Sequence, residues 1–153
     1  MRAFCLISNN GMEKIEMLIN EVFDFPERTS YAGGYDFKGG LIICAGSFSV
    51  NSLGYYSTTG ELHSLLTSLK SCYDNLTGRA KYPSRYLEKD LAFELVIKKT
   101  GQAIVSGEYR EYPHLPNKLV FQIETDQTCI KSAIDDLRKV EEVFGGMTGK
   151  RTL

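Results

Sequence analysis

The stretch from residue 91 to residue 123 constrains the fold most, because apolar and polar side chains alternate along it in three runs. In the first run every second residue from Leu91 to Ile97 is apolar, which is the period of a strand that buries one face. A short Lys-Thr-Gly turn joins this run to the second at 102–110, and a proline-containing loop leads to the third at 119–123. Connections this short reverse the chain but cannot return it for parallel pairing, so the pattern predicts an antiparallel meander.

Two other segments carry apolar residues at the three- and four-residue spacing of an amphipathic helix. The first begins at Thr58, where Glu61 completes a capping box, and Gly78 is expected to end it. The second runs from about residue 126 to residue 144. Asp126, or the threonine before it, can cap this helix, and a pair of glycines stops it. Both apolar stripes predict helices that pack one face on the sheet.

The N-terminal half reads as extended chain with glycine-rich breaks. A first strand is predicted over residues 2–8, whereas residues 14–25 fit helical and strand spacing alike. Residues 27–40 are predicted to form a loop rich in glycine and tyrosine. From 41 to 56 the chain is predicted to be extended, with a bulge near Gly46.

Together these elements predict an α+β fold: a mostly antiparallel β-sheet, arranged as a meander, with two amphipathic helices packed on it. A chain of 153 residues has the usual size of one domain and can bury a substantial core. No repeat or long linker divides it. We expect a single domain over residues 1–146, followed by a frayed tail at 147–153.

Charge and cysteine usage narrow the classes of function. A net charge of −1 provides no general attraction to nucleic acid or to acidic lipid. The apolar runs are too short to span a membrane, and the N-terminus lacks a signal sequence, so a cytoplasmic location is expected. The four cysteines are scattered through apolar segments, which favours buried free thiols over disulfides or a zinc site.

Residue patterns that carry catalysis are missing from the sequence. The two histidines, His63 and His114, belong to no metal-binding or nucleophilic spacing, and no phosphate-binding glycine loop is present. The pairs Gly33-Gly34 and Gly39-Gly40 are better explained as turn residues. We therefore expect no enzyme activity, no cofactor and no metal.

Acidic and tyrosine residues are the better candidates for a function in binding. Glu94 and Glu108 are predicted to lie opposite one another on the outer face of the hairpin, where two like charges need a partner or a neutralising cation. Tyrosines in the 27–40 loop are typical of interfaces, although they can equally cover the edge of a core. Acidic pairs on the second helix, such as Asp135-Asp136, are explained by a solvated face or by an acidic contact surface for a basic partner.

Several short motifs follow one another along the chain in a characteristic order. They are Phe25-Pro26, Asp36 with the apolar run 40–43, Thr-Gly-Glu-Leu at 59–62, Leu-Thr-Gly-Arg-Ala at 76–80, Glu88, the hairpin 99–107, and 119–128 with its Asp-Gln-Thr. With these motifs the chain resembles the WapI-type immunity proteins over about residues 15–143. These are small cytoplasmic partners of bacterial contact-delivered or wall-associated polymorphic toxins. The resemblance also favours a strand for residues 14–25.

The resemblance implies a non-enzymatic inhibitor in bacterial competition, of the contact-dependent growth inhibition kind. Its partner would be the C-terminal domain of a cognate toxin, often a nuclease, bound one-to-one with the active site covered; no nucleic-acid or membrane partner is expected. We hypothesise that acidic and tyrosine side chains mimic the toxin's phosphate-rich substrate. The predicted toxin-binding residues are Asp24, Glu27, Tyr31, Tyr35, Asp36, Glu94 and Glu108.

Two other classes of function remain open from the sequence. One is a small ligand-binding or enzymatic domain with its site in the glycine- and tyrosine-rich loop, which requires a deep pocket with perturbed ionisable groups. The other is a scaffold that oligomerises through an exposed sheet edge.

Overall fold

A computed structural model describes residues 1–84 and 90–150 of the chain. It contains eight strands and two helices in these residues. In chain order the elements are β1 (Arg2–Ile7), β2 (Lys14–Val22), β3 (Asp36–Ala45), β4 (Phe48–Thr58), α1 (Thr59–Asn75), β5 (Arg79–Tyr82), β6 (Leu91–Ile97), β7 (Gln102–Arg110), β8 (Lys118–Asp126) and α2 (Gln127–Phe144). Glu88, one of the motif residues, lies outside the described part of the chain.

The strands form two antiparallel four-stranded sheets, and each sheet is a meander in chain order. The first sheet has the order β1-β2-β3-β4 and the second β5-β6-β7-β8. The α+β class, the meander and the two helices are therefore confirmed. The prediction of a single sheet is wrong, because the strands before α1 and those after it form separate sheets. The alternating patterns of the two sets of strands are similar, so the sequence does not show this division.

One hydrophobic core joins both sheets and both helices. The helices pack against one another, while α2 lies along β1 and α1 lies along β5. The aromatic rings of Phe4 in the first sheet and Phe93 in the second are 5.9 Å apart. Each helix therefore packs on an edge strand of one sheet, α2 on β1 and α1 on β5. The other edge strands of the two sheets are β4 and β8.

One local expectation is confirmed in the structure and two details of the N-terminal half and of β5 are new. Residues 14–22 are a strand, as the resemblance favoured. The break at Gly46 is a hairpin turn between two paired strands rather than a bulge in one strand. The segment between the first helix and the run at 91–97, for which no strand was predicted, contains strand β5, whose Ala80 and Tyr82 face the core.

The helix termini follow the sequence closely. The side chain of Thr58 accepts a hydrogen bond from the backbone N–H of Glu61 at 3.1 Å, and Asp126 caps α2 through the N–H of Cys129 at 3.0 Å. The buried carboxylate of Glu61 does not complete the capping box, because it accepts hydrogen bonds from the backbone and hydroxyl of Ser84. The left-handed cap of α1 is Leu76 at φ 51°, not Gly78.

Polar groups join the two sheets inside the core. The Tyr82 hydroxyl of the second sheet is hydrogen-bonded to Tyr55 and Ser57 of β4. Thr125 of β8, predicted as a possible cap, instead donates its hydroxyl to the carbonyl of Ile7 at 2.7 Å. Because such buried groups are costly without partners, these bonds fix how the sheets face one another.

The buried tyrosines predict a loss of stability at alkaline pH. Burial raises the pKa of Tyr82 to about 12 from an ordinary value of 10.0, and burial also raises the pKa of Tyr55. Between these values the folded state keeps a proton that the unfolded state releases, so the free energy of unfolding should fall with rising pH, by at most about 1.4 kcal/mol per unit for one group. Denaturant titrations from pH 9 to roughly pH 12 would measure this slope. The variant Tyr82→Phe should flatten it, and an equal slope in both proteins would contradict the assignment.

The C-terminal residues 147–150 were assigned to the tail, and the structure holds them against the body of the protein. The Met147 carbonyl accepts a hydrogen bond from the N–H of Gly34, and the N–H of Lys150 donates to the Tyr35 hydroxyl at 2.8 Å. The rest of the predicted tail, 151–153, lies outside the described residues.

The four cysteines are free thiols, with Cys5 and Cys72 buried and the other two half-buried. Burial raises the pKa of the Cys5 and Cys72 thiols, which keeps them protonated at neutral pH. Within the described residues, no helix has both the length and the apolar character needed to cross a membrane.

Candidate functional site

The loop between β2 and β3, residues 23–35, carries most of the predicted toxin-binding residues. Asp24, Glu27 and Tyr31 are exposed, and Tyr31 is fully open to solvent. Asp36, the first residue of β3, is also exposed, and its carboxylate accepts a hydrogen bond from the hydroxyl of Ser30 at 2.9 Å. These four predicted residues are therefore exposed within one segment, residues 24–36, which holds three carboxylates and the exposed cation Arg28 and is here called the acidic loop.

Close backbone contact with α1 holds the acidic loop in place. A Cβ added to Gly34 would lie 2.3 Å from the backbone nitrogen of Gly60 in α1. A Cβ added to Gly60 would lie 2.3 Å from the carbonyl oxygen of Gly33 in the loop. The backbone N–H of Tyr35 donates to the hydroxyl of Thr59 at 2.8 Å. Glycine at 33–34 thus permits packing of loop on helix, which the turn explanation did not foresee.

Tyr35, also predicted as a contact residue, is buried and so does not present its side chain on the surface. Its side chain is 0 % exposed, because the ring packs edge-on against Phe25 at 5.0 Å. Its hydroxyl accepts the N–H of Lys150 and lies within hydrogen-bond distance of the carbonyls of Pro26 and Lys150. Tyr35 therefore connects the acidic loop to the C-terminal segment. A tyrosine suits such a buried position because its ring packs in the core while its hydroxyl forms hydrogen bonds.

Glu94 and Glu108 lie apart from the acidic loop, on the outer face of the second sheet. They are not directly opposite, because Glu94 pairs with Ser106 and Glu108 pairs with Ala92. Glu94 forms an ion pair with Arg79 at 2.9 Å, and Glu108 lies 3.6 Å from Lys118. Cations of the same sheet thus neutralise both carboxylates, which weakens the idea that this face mimics phosphate.

The sequence analysis did not identify the outer face of the first sheet. Along β3, residues Lys38, Gly40 and Ile42 point away from the core, since Phe37, Leu41 and Ile43 on the alternate positions are buried. The ammonium group of Lys38 lies 5.9 Å from the ring centre of exposed Tyr56. The predicted loop over residues 27–40 is wrong for residues 36–40, which belong to strand β3. The alternation of buried and exposed side chains along 36–45 could have indicated this outer face.

Two open clefts lie on the described part of the surface. One, of about 500 Å³, lies between the helices and includes His63, whose Nδ1 is 2.7 Å from Glu141. The other, of about 280 Å³, lies near Ser8 and Glu124. Across residues 1–84 and 90–150, no three or more His, Cys, Asp and Glu side chains are grouped so as to hold a metal ion. His114 packs beside Tyr112 in the β7–β8 loop.

Comparison with known proteins gives one family match. The model of the immunity protein WapI-like family matches residues 5–145. A search of curated proteins found no match. Among solved structures, the CdiA-CT/CdiI toxin and immunity complex from Enterobacter cloacae contains a similar chain, with 13% sequence identity and a TM-score of 0.45. The similarity covers 82% of this chain and 99% of that one.

Proposed function

This chain belongs to the immunity protein WapI-like family, and we propose that it neutralises a cognate toxin domain by binding it one-to-one. The family match over residues 5–145 is the observation that carries this proposal. An inhibitor of this kind acts in the cytoplasm of the cell that it protects and needs no catalytic group of its own. We further propose that the target is a nuclease and that binding occludes its active site.

The acidic loop is the part of the surface that best fits such a partner. Three of its carboxylates, on Asp24, Glu27 and Asp36, are exposed beside the fully exposed ring of Tyr31. An enzyme that acts on nucleic acid presents cations around its active site, because its substrate is a polyanion. Carboxylates opposite those cations would speed the encounter and give specificity, while tyrosine would add contact area.

The scaffold around the loop supports this role as well. Gly34 is packed on α1, and Tyr35 anchors the loop to residue 150. A surface held in its binding conformation loses less entropy on association than a mobile one does. Pre-organisation of this kind suits an inhibitor that must bind a lethal enzyme tightly.

The test is a calorimetric titration of this protein with the toxin domain encoded immediately upstream of its gene. We expect one-to-one binding, with Kd in the nanomolar range or tighter, that abolishes the activity of the domain. Reversing two loop charges, as Asp24→Lys with Glu27→Lys, should raise Kd about tenfold, mainly through a slower association rate. Raising the salt concentration should narrow the difference between this variant and the wild type.

A matched control changes the net charge equally at a distance from the loop. Asp74→Lys with Glu124→Lys reverses two other exposed carboxylates, one near the C-terminal end of α1, far from the Gly60 end that contacts the loop, and one on β8. This variant should bind like the wild type. Equal weakening by both variants would show a general charge effect and refute the acidic loop as the contact. The absence of any binding by the wild type would contradict the proposed function itself.

A further inference from the structure

The open face of the first sheet continues directly from the acidic loop. Asp36, Lys38, Gly40 and Ile42 follow one another along it, because alternate residues of β3 share a face; the bulges lie in the neighbouring strands β2 and β4. Asp36 belongs to the acidic loop, so loop and sheet face share a border. What binds the loop would therefore extend over this face.

Apolar and aromatic side chains occupy the middle of the face. Leu18 of β2 is paired with Gly40 and lies over it, and half-buried Ile42 follows on the same side. On the edge strand β4, Tyr56 is 60% exposed and Leu53, in the bulge beside Gly40, is 78% exposed. We call Leu18, Ile42, Leu53 and Tyr56 the outer patch. Large exposed apolar side chains next to one another are typical of a protein-binding surface.

The charges at the border of the outer patch decide which partner fits. Glu21 is paired with Lys38 across the strands, and Asp24 and Asp36 lie beyond them toward the loop. Lys38 is directed over the Tyr56 ring. The loop also carries the exposed cation Arg28, but the exposed carboxylates of Glu21, Asp24, Glu27 and Asp36 outnumber it, so this end is negatively charged. At the other end Glu16 is held by Arg2 and Lys14, at 3.6 and 3.5 Å. An apolar centre with an acidic rim is complementary to an apolar surface surrounded by lysine and arginine.

The outer face of the second sheet differs in composition. It carries Glu94 and Glu108 paired with Arg79 and Lys118, so charges of both signs are already matched within the sheet. Val120, on the edge strand β8 opposite Glu108, is 67% exposed among these polar residues. This face therefore gives a matched control for the outer patch.

We propose that the toxin domain docks on the first sheet, with Leu53 and Tyr56 at the centre of the contact and the acidic loop as its rim. The inference rests on the proposed function, and it assigns the contact to one sheet and to one type of partner surface. The partner presents an apolar patch bordered by basic side chains.

The experiment compares Leu53→Asp and Tyr56→Ala with Val120→Asp in titrations with the same toxin domain. Leu53→Asp and Val120→Asp each place a carboxylate at an exposed apolar position of an edge strand, so their effects on folding should be alike. Leu53→Asp is expected to raise Kd about thirtyfold or more and Tyr56→Ala about tenfold, because central interface residues carry most of the binding free energy. Val120→Asp should bind like the wild type. Circular dichroism and sedimentation velocity would confirm folding and association state.

The outcomes separate this inference from the function on which it rests. If the wild type binds and inhibits while both outer-patch variants bind equally well, the docking face is wrong and the immunity function stands. Weakening by Val120→Asp alone would move the contact to the second sheet. A wild-type dimer that Leu53→Asp dissociates would show that a second copy of the chain occupies the face. No binding by the wild type would overturn the function and the docking face together.

Discussion

Replacing Phe93 with alanine is expected to lower the free energy of unfolding by about 3–5 kcal/mol. Phe93 is 4% exposed, and its ring stacks on Tyr82 at 5.4 Å within the second sheet. It also contacts Phe4 of the first sheet at 5.9 Å. Truncation would leave a cavity where the two sheets meet, and since typical domains unfold with about 5–15 kcal/mol, much of the stability would be lost.

Urea titration followed by circular dichroism and by tyrosine fluorescence would measure this loss. Val96→Ala is the control, because Val96 lies on the same strand with its side chain on the outer, half-buried face. Its cost should stay near 1 kcal/mol. Similar losses in the two variants would contradict a shared core at Phe93. We predict that the two sheets unfold together as one domain. Coincident transitions by circular dichroism and by fluorescence would support this prediction.

Gly39→Ala is expected to cost about 3 kcal/mol or more, although the neighbouring Gly40→Ala should cost almost nothing. A Cβ on Gly39 would lie 1.6 Å from the carbonyl oxygen of Leu18, which is backbone held in the β2–β3 ladder. The clash can be relieved only by separating the two strands. Since these strands are central in the first sheet, the loss would reach the whole sheet.

Gly40 supplies the control for this prediction in the next position of the same strand. A Cβ there would meet a terminal carbon of Leu18 at 3.5 Å and the Ser52 carbonyl at 3.6 Å, both ordinary contacts. Alanine also restricts the unfolded chain, which can offset part of any cost by about 0.4–1 kcal/mol. Thermal unfolding of the two variants would measure the difference. Equal midpoints would show that the β2–β3 approach is not as close as the structure has it.

Local sequence patterns were sufficient for the elements that stabilise themselves locally. The strand at residues 91–97 and the helix caps Thr58 and Asp126 lie where the alternation and the capping residues predicted them. Each depends on side chains within a few positions, so its signal is contiguous in the chain. The predicted break of α2 at Gly145 follows the same rule.

The residues predicted from the sequence to bind a partner differ in their exposure. Asp24, Glu27, Tyr31 and Asp36 are exposed and adjacent, whereas Tyr35 is buried. The burial of Tyr35 arises from its packing on Phe25 within the loop and from its hydrogen bond with Lys150, which is 115 positions away. The sequence pattern around the two tyrosines does not show this contact with the C-terminal segment. The outer patch escaped detection because its four side chains come from three strands.

Local patterns in the sequence were enough to predict the class of fold, most of its elements and, through its motifs, the family. Hydrophobic periodicity and helix caps depend on residues that are close in the sequence, so they can be recognised without the structure. Three features depend on the folded arrangement: the strands divide into two sheets, Gly39 is a close contact between strands rather than a turn, and the Glu61 carboxylate binds Ser84 instead of its own helix end. The reason is physical: the burial of a side chain and the partner of a polar group depend on which distant segments pack against it.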